Sequence, residues 1–277
     1  MNELLQNQKF LLVFDLDGTL LTSKQTIAPK TKKLLQELSK AGNIVTIASG
    51  RPPRSVHQYH AMLGLEGPYI GYNGAIIDNP YDPDFKQVRK WIKKEEILSF
   101  LHHFGEDIFA NMMLEDDTDQ FYLKENEAYT YFFHPEGMNI HLGSVMENLD
   151  RDVMTCVLEL KDLSHKQEML DYMASHYDNL SLRFWFNAPN FAEFFFLDTN
   201  KATSIYKLAD FYHIDRAHII AFGDAMNDYQ MIDSAGVSFV MKNGSPELKK
   251  YGTYITKYDN DHEGIYHALK EFFQLED

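Results

Sequence analysis

The chain has 277 residues, 44% apolar and 14% aromatic, enough to bury a sizeable core and too apolar for intrinsic disorder. Its 41 acidic against 26 basic residues give a net charge of −15, which argues against non-specific adhesion to nucleic acid or to an anionic membrane surface. The one cysteine, Cys156, excludes an intramolecular disulfide; with no leader in "MNELLQNQKF" and no window as long as a membrane helix, the expected location is the cytoplasm.

In chain order, "KFLLVFD" is a continuous apolar run of strand length, as expected of a strand covered on both faces. "APKTKKLLQELSKAG" predicts a helix, with Pro29 in its first turn, a stripe of Leu34, Leu35 and Leu38, and Gly42 at its stop. A strand "NIVTIAS", a helix "RSVHQYHAML" and a strand region "YIGYNGAII" around an Asn73-Gly74 turn follow. This β-α-β-α-β alternation predicts a doubly wound, mostly parallel sheet. "NPYDPD" reads as a linker. The middle then changes character: a helix in "KKEEILSFLHHF", strands in "DIFANMML", "QFYLK" and "VMTCVLELK", a helix in "SHKQEMLDYMASHY", and a hairpin of "LSLRFWF" and "FAEFFFL" about "NAPN". From Asp198 the alternation resumes with "KATSIYKLADFYH", "HIIAFGD", "NDYQMIDSA", "VSFVM", "SPELKKY", "TYIT" and a closing helix from Glu263. The expected organisation is an α/β core in two pieces, residues 1–80 and 198–277, interrupted by an α+β insert over 81–197.

Four short stretches fall at or just after the C-terminal ends of predicted core strands, the edge where open α/β sheets bind ligands. Asp15 and Asp17 end the first strand, Ser49-Gly50-Arg51 the second, and Asp224 with Asn227 and Asp228 the "IIAFGD" strand; Lys201 opens the helix after the insert. Phosphoryl transfer uses this set. Asp15 and Asp224 offer hard oxygens for Mg²⁺. Asp15 can attack phosphorus, and Asp17 can protonate the leaving group and then take a proton from water. Gly18 allows the turn between them. The Ser49 hydroxyl, the Gly50 and Asn227 amides and the Lys201 ammonium can hold the phosphate oxygens.

"DLDGTLL", "ASGR", Lys201 ahead of a helix and "GDAMNDYQMI" resemble the four motifs of the haloacid dehalogenase superfamily. "YNGAII" and the tail "AGVSFVMKNGSPELKKYGTYITKYDNDHEGI" are similar to its Cof-type phosphatases. The resemblance covers the whole chain. It implies a Rossmann-like core with an inserted α+β cap, and an aspartyl-phosphate mechanism with Asp15 as nucleophile and Mg²⁺ ligand. Asp17 becomes acid/base and ligand through its backbone carbonyl, Asp224 a direct metal ligand, and Asp228 an acid that either supports the ligands from behind or reaches the metal through water. Leu16, Ser49, Gly50, Lys201 and Asn227 would contact phosphate, and Arg51, Asn73, Gly74 and Asn243 the substrate. Ser49 stands where threonine is common, and "DTNKAT" where the lysine motif usually reads "GxSKG".

The expected activity is Mg²⁺-dependent hydrolysis of small phosphorylated metabolites, sugar or cofactor phosphates, by a monomer or weak homodimer. A phosphomutase would use the same aspartates without releasing phosphate; a receiver module carries similar acids in half this length. The aromatic stretch "EAYTYFFHPEGM" from Glu127 to Met138 has no clean period, and reads either as cap core or as a surface that selects the leaving group.

Overall fold

The structure is a computed structural model that describes residues 8–127, 129, 133, 136–185 and 188–276. Half of the 127–138 stretch, the start of the "NAPN" turn and the N-terminal residues 1–7 lie outside them. The chain divides into two compact units, one built from residues up to Val88 and from Thr199 onward, the other from Arg89–Asp198.

The first unit begins with β1 (Leu11–Phe14), α1 (Pro29–Lys40), β2 (Ile44–Ala48), α2 (Pro53–Leu63), β3 (Tyr69–Gly71), β4 (Ile76–Asp78) and β5 (Val88–Arg89), where the chain leaves it. The second holds α3 (Lys94–Phe104), β6 (Phe109–Glu115), β7 (Asp119–Tyr122), β8 (Asn139–Leu142), α4 (Val145–Asn148), β9 (Thr155–Leu160), α5 (Lys166–His176), β10 (Leu180–Phe184) and β11 (Phe191–Phe196). The chain then returns to the first with α6 (Lys201–Phe211), β12 (Ile219–Gly223), α7 (Tyr229–Ser234), β13 (Val237–Val240), β14 (Tyr254–Ile255) and α8 (Gly264–Phe272).

The core sheet runs β14-β13-β12-β1-β2-β3-β4-β5, parallel from β14 to β3 and antiparallel between β3 and β4. Its central strand β1 is apolar at every position and β2 at every position but Thr46, because both faces are covered. Leu11 and Val13 join Ile205, Leu208 and Ala209 of α6 and Met231 and Ile232 of α7 in one core. On the other face Phe14 stacks on Phe222 at 5.1 Å, and Phe222 on Phe239 at 4.7 Å. Phe272 of α8 meets Phe239 edge-on. The "NPYDPD" stretch is not loose: Asn79 is buried and donates through Nδ2 to Tyr212 Oη at 2.7 Å.

The second unit is an α+β layer. Its sheet runs β10-β11-β9-β6-β7-β8, antiparallel except for β7 and β8. Alternate residues Met112 and Leu114 of β6 and Cys156 and Leu158 of β9 share a core with Ile97, Phe100 and Leu101 of α3 and Met169 and Met173 of α5. This period of two is what a sheet with one helix-covered face requires. Lys90 and Asp198, at the two ends of the unit, form an ion pair at 2.5 Å.

Candidate active site

The opening loop explains why two aspartates and a glycine follow β1. The Asp15 N–H donates to Phe222 O at 3.0 Å, so the chain stays paired with β12 one residue beyond the strand. Leu16–Leu20 then form a single wide turn, closed by Leu20 N–H to Asp15 O at 3.2 Å and Leu21 N–H to Leu16 O at 2.9 Å. Gly18 sits at φ 72°, and a Cβ there would lie 2.4 Å from Asp224 Oδ2. Only glycine meets both demands. The turn separates the carboxylates: Asp15 is 5% exposed, whereas the Asp17 side chain is 51% exposed.

Lys201 is the first residue of α6. Asn200 caps that helix, its Oδ1 accepting from Thr203 N–H at 3.0 Å while its own N–H reaches Thr203 Oγ1 at 3.1 Å. The unusual "DTNKAT" therefore still makes a sound helix start, with asparagine as the cap. The fully buried Lys201 ammonium donates to Asp15 Oδ1 at 2.5 Å and to Asp228 Oδ1 at 2.6 Å. Asp228 Oδ2 accepts from the Asp224 and Ala225 amides at 3.0 and 3.3 Å.

Asp15, Asp224 and Asp228 each present a carboxylate oxygen, all within 4.8 Å of one another. Burial and then the Asp228 charge hold Asp15 well above the usual carboxylate range, although Lys201 opposes both. Burial and Asp228 likewise push Asp224 up to about 7. Burial alone would discharge Lys201, but Asp15 and Asp228 outweigh it and its affinity for the proton rises. Three carboxylates around one ammonium leave a site short of positive charge.

The sequence matches the family of haloacid dehalogenase-like hydrolases over residues 12–269, a span that takes in both units. The chain belongs to that family. Two curated relatives, YitU and YcsE of Bacillus subtilis (strain 168), both named 5-amino-6-(5-phospho-D-ribitylamino)uracil phosphatases, are 28% and 25% identical to it. The alignments cover 98% of this chain and 100% of YitU, and 95% of each for YcsE. The solved subclass IIB sugar phosphatase BT4131 superposes with a TM-score of 0.75 over 96% of this chain and all of that one, at 21% identity. The protein is a phosphatase of this superfamily.

In this haloacid dehalogenase-like core the remaining expected residues fall as follows. Leu16 and Ser49 are buried; Ser49 Oγ accepts from the Arg51 amide at 3.1 Å, and Gly50 is exposed. Asn227 is exposed on the turn that carries Asp228. Asn73, left-handed at φ 52°, keeps a buried Oδ1 with no partner beside Gly50. The Gly74 carbonyl accepts from Ser204 Oγ at 2.9 Å, tying that turn to α6. Asn243, expected at the substrate, donates to Gly18 O at 2.7 Å and accepts from Asn260 N–H at 3.2 Å. It braces the opening loop. Arg51 carries the Asp17 carboxylate on its guanidinium, with Nε to Oδ2 at 2.7 Å and Nη2 to Oδ1 at 2.5 Å.

The structure therefore gathers Asp15, Asp224, Asp228 and Lys201 into one cluster and sets Asp17 beside Arg51. Sequence reasoning passed over Gln25, Ser55 and Tyr59, which surround Arg51. Ser55 and Tyr59 follow Arg51 at steps of four, one helix face, and that spacing was the available signal. The hard, anionic, buried oxygen set fits Mg²⁺.

Proposed function

We propose that the protein is a Mg²⁺-dependent phosphatase of small phosphorylated metabolites that works through a phosphoenzyme on Asp15. The observation that carries this reading is the buried cluster in which Lys201 touches Asp15 at 2.5 Å and three carboxylates converge within 4.8 Å. Asp15, Asp224, Asp228 and the Asp17 carbonyl would hold the ion, whose charge would offset the repulsion between a carboxylate nucleophile and an anionic phosphate. Lys201 fixes the Asp15 carboxylate and adds positive charge for the equatorial phosphate oxygens, with Ser49, the Leu16 and Gly50 amides and Asn227. A carboxylate oxygen of Asp15 bonds to phosphorus as the ester P–O bond breaks, and Asp17 gives its proton to the leaving alkoxide. Water then attacks phosphorus, Asp17 takes back a proton, and the Asp15–phosphorus bond breaks to free phosphate.

The inserted unit, Arg89–Asp198, is proposed as the cap that sets substrate choice. The shared name of the two Bacillus relatives makes a phosphorylated ribityl-pyrimidine the first substrate to try. The test is phosphate release from a panel of metabolites containing that compound and common sugar phosphates, with Mg²⁺ and with chelator. Asp15→Asn should release none and carry no base-labile phosphoryl group. Full turnover in excess chelator, or by Asp15→Asn, would sink the reading.

A further inference from the structure

We propose that Arg51 is a positioning residue for Asp17, not a ligand of the substrate's phosphate, and that Gln25, Ser55 and Tyr59 set it for that task. The proposal rests on the reading of Asp17 as the proton-transfer group. An arginine side chain has five N–H donors in a rigid fork. Here every one is taken. Nε and one Nη2 hydrogen go to the two Asp17 oxygens at 2.7 and 2.5 Å. The other Nη2 hydrogen goes to Gln25 Oε1 at 2.7 Å. Nη1 serves Ser55 Oγ at 3.2 Å and Tyr59 Oη at 3.3 Å. None remains for a phosphate.

The surroundings are built around the guanidinium. Tyr59 lies under it, 5.3 Å from ring centre to Cζ, and donates from Oη to Gln25 Oε1 at 3.2 Å. Gln25 reaches it from the tip of a small hairpin closed by Thr22 N–H to Thr26 O at 2.8 Å and the Leu21–Ile27 bridge. Its backbone is left-handed at φ 56°, a conformation that strains a non-glycine residue and persists where surrounding contacts demand it. Arg51 is 17% exposed against 51% for Asp17. The arginine is thus fixed from behind while the carboxylate it holds faces outward. An isolated surface ion pair would contribute little. A two-pronged pair with a fully satisfied donor set restricts the orientation of the carboxyl group and leaves each of its oxygens a second lone pair on which the transferred proton can sit, and proton transfer depends on orientation.

The test compares phenyl phosphate, whose leaving group needs a proton, with p-nitrophenyl phosphate, whose leaving group scarcely does, using the full chain with saturating Mg²⁺. The readout is kcat/KM, which reports the phosphorylation half. Asp17→Asn should raise the p-nitrophenyl to phenyl ratio by about a hundredfold, within the usual contribution of general acid catalysis. Arg51→Ala, Arg51→Lys and Tyr59→Phe should raise the same ratio by about tenfold, a partial loss of that contribution. Tyr59 touches Arg51 and not Asp17, so a shift there reports positioning. If Arg51→Ala instead raises KM and lowers kcat/KM equally on both esters, and Arg51→Lys restores it, Arg51 binds phosphate and the proposal falls. Should Arg51→Ala fail to fold, Tyr59→Phe and Gln25→Met decide; an unchanged ratio in both overturns it. An unchanged ratio in Asp17→Asn itself would remove the underlying reading, whereas a shift there with none in the other variants removes this proposal alone.

Discussion

Gly18→Ala tests whether the opening loop places the acid cluster, and Gly42→Ala separates that effect from backbone strain. Both glycines are left-handed, at φ 72° and 94°. In each, alanine should cost about 1–2 kcal/mol of stability from the φ alone. They differ in what the new methyl meets. At Gly42 nothing lies within 4 Å; at Gly18 the Cβ would be 2.4 Å from Asp224 Oδ2 and 2.9 Å from its Cγ. Relief requires a displacement of about 1 Å to reach ordinary contact distance. The Asp224 carboxylate is a flexible end, so most of that displacement falls on it and little is added to the stability loss. A shift of this size in a positioned group costs about a hundredfold in rate. The expected outcome is two proteins with similar urea midpoints, one of which hydrolyses p-nitrophenyl phosphate at the parental kcat while Gly18→Ala has lost about two orders of magnitude. A folded Gly18→Ala within threefold of the parent would show that the position of Asp224 does not depend on this contact.

Lys201→Met leaves two buried carboxylates without their ammonium; in chelator it should lose about 3–5 kcal/mol by urea unfolding, along with all turnover, and a midpoint equal to the parent's would contradict the geometry. Asp224→Asn should abolish Mg²⁺-dependent turnover while holding or raising stability in chelator, because it removes one of three crowded charges; a large destabilisation would mean Asp224 is itself a structural anchor. Chelation should stop phosphate release, added Mg²⁺ should restore it, and Ca²⁺ should not, since its looser coordination would misplace Asp15. His60 is buried, its Nε2 lacks a partner, and burial pushes it down to about 4. The unfolded chain binds this proton below about pH 6.5 and the folded one only below about 4, so stability falls with pH across that window, by about 2 kcal/mol at pH 5. His60→Leu should therefore lose about 2 kcal/mol less than the parent between neutral pH and about pH 5 in urea melts, and equal losses would refute the assignment.

The strands β1, β2 and β12 were legible because burial on both faces forces nearly continuous apolar runs, broken in β2 only by Thr46. The helix α1 was legible because Pro29 and the Leu34, Leu35, Leu38 stripe give its start and its buried face. β8 was not: "NIHL" is a short edge strand with Ile140 46% and Leu142 50% exposed, so burial left no mark on its composition. The one-turn α4 is too short to show a period. At the site, Asp15, Asp224 and Lys201 could be read because strand ends and helix starts are local features. The setting of Arg51 could not, because it needs the hairpin tip at Gln25 to meet α2, a tertiary contact with no local pattern. Asn243 stood out as part of a signature, but its partner, the Gly18 carbonyl, is visible only in the folded chain.

The order of strands also has a consequence for biosynthesis. β1 lies between β2 and β12, so Leu11 has Ile44 on one side and Ile219 on the other. A growing chain makes the first neighbour at once and the second only after the whole inserted unit has emerged. Until then one edge of "LLVF" is open, a short apolar strand without a charged residue, the kind of edge that recruits foreign strands. The Lys90–Asp198 pair bears on that hazard: once the inserted unit folds and brings its ends together, the gap between β5 and α6 behaves as a short loop, and the search for β12 becomes far shorter. The last clasp comes later still, when the Glu263 carboxylate accepts the Lys30 and Thr31 amides at 2.9 and 2.8 Å and seals the start of α1. A nascent chain that already carries Asp15 and Asp17 therefore lacks Lys201, Asp224 and Asp228 through most of its synthesis.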